Sequence, residues 1–497
     1  MQSLQTTRNT MSLHISHNTK VHSVQLLVFL FGIILWFFPV PAGLDTFINK
    51  LPTSDFQFNS QTSWHLFAVF ITAIAAVILN AMPIFTSSIL AVSVLVLTGT
   101  LSAKQAFSGF SEDWILLIVV AFLIASSVIK SGLGKRIAFL IIRRFGKTSL
   151  GLSYSIIAAD MLIAPAFPSN TARSGVLFPI VNALAADSGS KVIDGTRKKL
   201  GAYLMMSSMA GLSISSSLWL TAMAANPAGA KMAKEFGVDI TYISWVTAAS
   251  VPVIVLYLLL PWVIMKVYPP EVKQTPDAPQ VAQNVLDAMG PVQRNEWIMA
   301  TVFIGMVLLW IASSFYPTIN KTAVAFLGLG ILMLADIFTI KDLTHEGQAL
   351  ATLVWFAILY AISVYLNQFG FMGWVGENAA QMVEGFSWPL AYVVLVLSYV
   401  LIHYFFVSQT AQMLALFTVF LNVAIQAGVP AELMALMLLF ATNFNAMITP
   451  QGSSSNVIYL GSGYIEAGEI YKVGGIITLV NTVIFLTLGT AWILLVS

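Results

Sequence analysis

The chain has 497 residues, of which 58% are hydrophobic and 9% charged, with a formal net charge of +2 and no cysteine. A soluble domain is about 25% charged, so an ordinary globular enzyme is excluded. The lack of cysteine removes disulfides, thiolate metal sites and cysteine nucleophiles, and the absence of an extended basic patch argues against nucleic acid as a partner. What remains is an all-α integral membrane protein whose first partner is the lipid bilayer.

A spanning helix needs about 20 mostly apolar residues, and such runs recur in chain order. Residues 1–22 form a polar tail, read as a cytoplasmic tail of a bacterial protein rather than a targeting segment. The run 23–42 is too long for a signal-peptide core and lacks an A-x-A site, so it is expected to be an uncleaved first span. Spans at 65–83, 85–99 and 114–130 follow, with 23–113 forming the first scaffold helices. Segment 133–147 carries basic residues on a mostly apolar helix and suits an interfacial position. Then come the interrupted stretch 149–186, spans at 200–225 and 241–266, a polar linker at 267–294, spans at 295–315, 322–340 and 350–368, the interrupted stretch 386–425, and spans at 431–460 and 472–496.

Two of these stretches are interrupted by polar tips. Segment 149–186 is broken at Pro168, Ser169, Asn170 and Thr171, and segment 386–425 at Val407, Ser408, Gln409 and Thr410. Each is long enough to enter the membrane and return, which predicts two re-entrant hairpins beside about 11 transmembrane helices. Non-helical backbone at that depth survives only where it is buried in protein or lines a watery cavity. Lys130, Lys135, Arg136, Arg143, Arg144 and Lys147 precede the first hairpin, and Lys191, Arg197, Lys198 and Lys199 follow it. The positive-inside rule puts both flanks, and with them the N-terminus, in the cytoplasm. Eleven crossings then leave the C-terminus outside, in a bacterial inner membrane.

An internal repeat spaces matching features about 240 residues apart. Trp114 and Trp355 each open a span; Gly132 and Gly370 follow those spans; Ser169, Asn170 and Thr171 match Ser408, Gln409 and Thr410; Gly211 matches Gly452. An odd number of crossings between them inverts the second copy, the pattern of secondary transporters. The expected division is therefore 114–266 for repeat 1, 295–340 for the scaffold helices of the second half and 341–497 for repeat 2. Hydroxyl and amide groups at an unwound tip, backed by a helix N-terminus, suit an anion. One such tip per repeat suits a ligand with a carboxylate at each end. Gly211 and Ser213 in one span, and Gly452 and Ser453 in another, are expected to break their helices and either line the anion site opposite the tips or hold a cation.

The motifs at 168–173, 403–410 and 461–464 resemble the divalent anion/sodium symporter family, most nearly its exchanger branch of citrate–, tartrate– or oxoglutarate–succinate antiporters and plastid 2-oxoglutarate/malate translocators. The resemblance runs from about residue 25 to the end. Gln409 departs from the asparagine typical of the symporters. The resemblance implies a homodimer in which each protomer pairs a fixed scaffold with an elevator-type transport domain. Arg173 and His403, beside the two tips, are expected to supply the positive counter-charge that sodium supplies in symporters, since intramembrane ionisable residues are expensive and usually functional. The structural alternatives are snorkelling of Arg173 toward the headgroups or its pairing with Asp160, and, for His403, a neutral hydrogen-bonded packing role. The expected activity is sodium-independent exchange of C4–C5 dicarboxylates (succinate, malate, 2-oxoglutarate, with tartrate or citrate as further candidates), without cofactor. A sodium-coupled symporter is the nearest rival and an anion channel a more distant one. No phosphate loop, H-E-x-x-H or nucleophile elbow supports an enzyme.

Overall fold

A computed structural model of the chain describes residues 23–51, 58–381 and 385–496, so the expected tail at 1–22 lies outside the described residues. Among those described, the regular structure is helical, apart from one isolated antiparallel bridge between Thr148 and Gln274. Nine helices there are long and apolar enough to cross a membrane. Four shorter apolar ones, Ser23–Phe37, Ile84–Leu97, Lys321–Leu334 and Ala431–Met447, fall on further expected spans.

The chain divides into two compact units. One holds residues up to Glu112 together with Ala351–Gln381, and the other holds Asp113–Leu350 together with Met382–Ser497. Compactness thus groups 295–340 with the repeats and 351–381 with the N-terminal helices, a different division from the one drawn on the sequence. In the first unit, Trp64 donates its indole N–H to the Leu35 carbonyl at 2.9 Å, and Trp36 stacks on His65 with centroids 3.8 Å apart. The second unit contains both interrupted segments.

Eight helices of that unit carry the argument. They are α1 (Ser149–Ile163), α2 (Asn170–Asp187), α3 (Gly201–Leu218), α4 (Ala225–Lys234), α5 (Trp388–Ile402), α6 (Gln409–Gln426), α7 (Ala431–Phe444) and α8 (Ser454–Gly461). The pairs α1–α2 and α5–α6 are copies in detail. Each has a first helix of 15 residues, a 3-residue tight turn (Ala164–Ala166 or His403–Phe405) and a second helix of 18 residues. Each boundary in the second copy lies 239 residues after its counterpart. The residue that caps the start of the second helix is a serine both times, with φ −149° and ψ 124° at Ser169 and φ −146° and ψ 123° at Ser408.

Local chemistry explains the break. The serine oxygen accepts the backbone N–H three residues on, at 3.3 Å from Ala172 and 3.2 Å from Ala411. That satisfies one of the donors a helix start leaves open. In the first copy Pro165 and Pro168 lack an N–H and disfavour continuation of the helix. The carbonyls so freed are taken up by a neighbouring break: Pro168 O accepts from Ala224 N at 2.9 Å, and Pro165 O from Thr221 Oγ1 at 3.0 Å.

Several sequence expectations change. Helix α3 runs unbroken through Gly211 and Ser213, because one glycine costs a helix only about 1 kcal/mol. Its missing Cβ lets α1 approach instead: a Cβ on Gly211 would lie 2.9 Å from Ile157 Cγ1. The real stop comes at Trp219, where the backbone turns extended. The linker 267–294 contains a helix, Ala278–Met289, packed on the amphipathic helix Leu133–Phe145. Arg136 fastens this corner through Glu296 at 2.6 Å and Gly290 O at 3.0 Å. The helix Leu133–Phe145 begins after Gly132 with φ 80°, and Phe371–Gln381 begins after Gly370 with φ 78°, a left-handed conformation that glycine adopts without a Cβ clash.

Candidate functional site

The two serine-capped helix starts meet. Asn170, the first residue of α2, donates its Nδ2 to Oε1 of Gln409, the first residue of α6, at 3.2 Å. Asn170 is 5% exposed and Gln409 3%, while Ser169, Thr171 and Ser408 remain half-buried around them. Thr171 Oγ1 lies 2.5 Å from Ser454 Oγ at the start of α8, and Thr410 is buried on α6. A helix start carries a partial positive charge of about half an electron. The contact between Asn170 and Gln409 therefore joins two such ends.

Behind the first tip lies a charged wall. The Arg173 guanidinium, 0% exposed, donates from Nη1 to Asp160 Oδ2 at 2.9 Å and to Ser215 Oγ at 2.5 Å. From Nη2 it reaches Asn170 Oδ1 at 2.5 Å, Leu212 O at 3.3 Å and Ser216 Oγ. Ser215 also donates to Asp160. A buried cation is tolerated only when paired and hydrogen-bonded, and Asp160 meets that requirement. The expectation of an uncompensated positive charge at Arg173 is corrected here: the guanidinium sits beside the tip, but its charge is cancelled by Asp160.

Behind the second tip the wall is neutral. Tyr399 and Gln412 stand 239 residues after Asp160 and Arg173. Gln412 donates to Tyr399 O at 2.7 Å and accepts from Asn445 Nδ2 at 3.1 Å; the Tyr399 hydroxyl pairs with Thr442 Oγ1 at 2.8 Å. His403 is fully buried, and its Nε2 lies 2.8 Å from Gly452 O. A carbonyl only accepts, so Nε2 carries the hydrogen. Nδ1 makes no hydrogen bond among the described residues, and a second proton there would be buried without one. The imidazole is therefore neutral and fastens the tight turn to the second break, so counter-charge is not its contribution in this state.

Two asparagines that the sequence reading passed over hold the helix breaks. Asn226 Nδ2 donates to Ser216 O at 3.0 Å and Trp219 O at 3.2 Å, while Asn456 Nδ2 donates to Ala446 O at 2.8 Å and Thr449 O at 3.1 Å. Each clips the carbonyls that a helix leaves open where it ends. All three positions in the second clip lie 230 residues after those in the first. Asn443 ties the copies together, donating to Asn226 Oδ1 at 2.8 Å. An asparagine is costly inside an apolar run unless it is bonded, and that was the available signal.

The tip residues Ser169, Asn170, Thr171, Ser408 and Gln409 are thus brought together. Gly452 and Ser453 lie in the second break, where a Cβ on Gly452 would meet Ala446 O at 2.7 Å and Ser453 Oγ pairs with Ser455 Oγ at 2.9 Å. Gly211 and Ser213 are not brought to the tips. Both are 0% exposed or buried within α3, with the Ser213 hydroxyl directed to the Ala210 carbonyl at 2.7 Å.

Comparison with known proteins identifies the family. The family model described as the sodium:sulfate symporter transmembrane region matches residues 18–497. The chain is 40% identical to YflS of Bacillus subtilis, named as a candidate malate transporter, over 93% of this chain and 94% of that one. It is 39% identical to the chloroplast dicarboxylate transporter 1 of Spinacia oleracea, over 93% of this chain and 79% of that one. It is also 31% identical to the Escherichia coli inner membrane protein YbhI, over 94% and 96%. Among solved structures, Neisseria gonorrhoeae MtrF shares the fold with a TM-score of 0.57 at 13% identity, covering 90% of this chain and 96% of that chain. The chain belongs to the sodium:sulfate symporter transmembrane family and is a multi-pass membrane transporter, not an enzyme.

Proposed function

We propose that the chain exchanges C4–C5 dicarboxylates across a bacterial inner membrane, one for one and without sodium. The observation that carries this is the meeting of two serine-capped helix starts at the Asn170–Gln409 contact. Each end offers hydroxyls, first-turn N–H groups and partial positive charge, so a ligand with two carboxylates can engage both. Ser169, Asn170 and Thr171 form the end that receives one carboxylate, and Ser408, Gln409 and Thr410 the end that receives the other. The names of the relatives from Bacillus subtilis and Spinacia oleracea support this substrate class.

Sodium independence rests on what occupies the oxygens near the tips. Asn170 Oδ1, Leu212 O, Ser215 Oγ and Ser216 Oγ all take hydrogen bonds from Arg173, and Gly452 O takes one from His403. Oxygens that would ligate a hard cation are already engaged by N–H groups. Arg173 and His403 thus replace a metal sterically and by hydrogen bonding, while the helix starts supply the net positive potential. The two hairpins enter the membrane from opposite faces as inverted copies and move as an elevator against a dimeric scaffold, with the N-terminus cytoplasmic and the C-terminus outside.

Sodium-coupled symport is the second reading. It is favoured by Asn443 Oδ1, Asn445 Oδ1 and Thr449 Oγ1, buried oxygens near the second break without a partner among the described residues. Proteoliposomes decide between the two. Uptake of labelled succinate that requires internal dicarboxylate and ignores sodium is the expected result. Uptake into empty vesicles driven by a sodium gradient would refute exchange.

A further inference from the structure

The two tips are copies in backbone but opposite in the polarity of their amides. Asn170 turns its oxygen inward, because the wall behind it is made of donors: Arg173 Nη2 at 2.5 Å and Ser216 Oγ at 2.7 Å. Its NH2 group must then point toward the other tip. Gln409 is one methylene longer and backs onto acceptors. Its Nε2 donates to Thr442 O at 2.7 Å and Asn443 O at 3.1 Å. Backbone carbonyls accept only, so the amide cannot be reversed without placing oxygen against oxygen. Gln409 therefore presents its oxygen to the opposite tip.

The cause is the substitution pattern behind the tips. The position equivalent to Arg173 is Gln412, which bonds to Tyr399 O and Asn445 instead, and the position equivalent to Ser216 is Ala446, which has no hydroxyl. No donor stands behind Gln409 to draw its oxygen inward. One lone pair of Oε1 takes Asn170 Nδ2 at 3.2 Å. The second has no hydrogen-bond partner among the described residues; it would repel a carboxylate oxygen, while it would accept from a hydroxyl.

We infer that Gln409 Oε1 is a specificity determinant that selects dicarboxylates bearing a hydroxyl on the carbon next to one carboxylate, the 2-hydroxydicarboxylates, over their unsubstituted analogues. This rests on the dicarboxylate reading above and deepens it. The α6 helix start and Ser408 take the carboxylate of the hydroxylated end, and the adjacent hydroxyl donates to Oε1. The α2 helix start, with the NH2 of Asn170, takes the far carboxylate. A ligand of this kind binds in one orientation, hydroxyl end toward α6. Succinate offers no donor and leaves Oε1 facing its carboxylate. A polar group left unmatched on binding weakens affinity by about tenfold or more.

The test uses proteoliposomes of the full chain preloaded with malate. Exchange of labelled L-malate is competed at pH 7.5 by unlabelled L-malate or succinate. The expected result for the unaltered chain is half-inhibition by malate at a concentration about tenfold lower than by succinate. In Gln409→Asn the shorter side chain no longer reaches the Thr442 and Asn443 carbonyls, and the ratio should fall toward one through weaker malate rather than weaker succinate. A merely structural role for Gln409 would weaken both ligands together and leave the ratio intact. Equal competition by the two ligands in the unaltered chain would overturn the inference without the variant, should that fail to fold. Succinate matching malate once the pH is lowered to 6 would assign the donor to a protonated carboxyl and overturn it as well. If labelled malate is not exchanged and neither ligand competes, the dicarboxylate reading itself falls, which separates the two failures.

Discussion

Replacing Asp160 with asparagine keeps the shape of the side chain and its contact with Ser215 but removes the charge that balances Arg173. The Arg173 side chain is 0% exposed and that of Asp160 1%, so neither charge is screened by water. Removing one partner of such a buried pair destabilises by about 3–5 kcal/mol, because the remaining charge stays buried without compensation. Arg173→Gln should cost a similar amount by stranding the carboxylate. The double variant, carrying asparagine and glutamine, buries no charge and should recover most of the loss. The measurement is a double-mutant cycle on unfolding in mixed micelles, with malate exchange recorded in parallel. The coupling between the two positions should exceed about 2 kcal/mol. Single-variant losses that simply add would refute the claim that the pair is a closed, neutral unit. If Asp160→Asn alone left stability unchanged, Arg173 would have to be reaching a charge-balancing partner other than Asp160.

The other expectations concern separate parts of the second unit. Asn456→Ala removes two hydrogen bonds from a helix break, and Asn226→Ala removes the equivalent two plus the one from Asn443; each should lower stability by about 1–3 kcal/mol, and no loss at Asn456→Ala would show that its clip does not hold the break. Gly211→Ala places a methyl 2.9 Å from Ile157 Cγ1 and should cost about 1–3 kcal/mol by overpacking with substrate affinity unchanged, whereas a selective loss of affinity would return Gly211 to the binding site. Lys130, 2.6 Å away, holds the Asp342 carboxyl down to about 2. A depressed carboxyl contributes stability above its ordinary value of 3.8, and that contribution disappears as pH falls through about 2. Lys130→Met should therefore bring the onset of acid unfolding to higher pH, and an unshifted onset would show that the pair does not contribute.

Much of this was legible in the sequence because the strongest signals are local. The hairpin tips at Ser169 and Ser408 announced themselves as helix-starting residues inside apolar runs, and both structures begin there. Gly132 and Gly370 were paired correctly, since both adopt a left-handed backbone before an amphipathic helix. The pairing of Gly211 with Gly452 did not hold. Thirteen residues separate α2 from α3 but only four separate α6 from α7, so the spacing between copies drops from 239 to 230 after the hairpins. A reading at a constant spacing of about 240 slides past the real correspondence of Asn226 with Asn456. The pairing of Arg173 with Asp160 was visible as an alternative because the acid lies 13 residues earlier, but its geometry depends on α1 folding back beside α2. The opposite amide polarity of the tips was not readable, since it depends on which atoms of α3 and α7 stand behind each tip.

That polarity bears on ancestry. Two separate, identical chains assembled about a two-fold axis present the same surface twice, so a site shared between them must treat both ends of its ligand alike. Any residue gained on one side appears on the other, and a single Arg173–Asp160 pair would become two. Once both copies are joined in one polypeptide, each can drift alone, as the charged wall behind Asn170 and the neutral wall behind Gln409 have done. Duplication with fusion thus supplies something that assembly of equals cannot: a cargo with distinguishable ends can be held in one sense only.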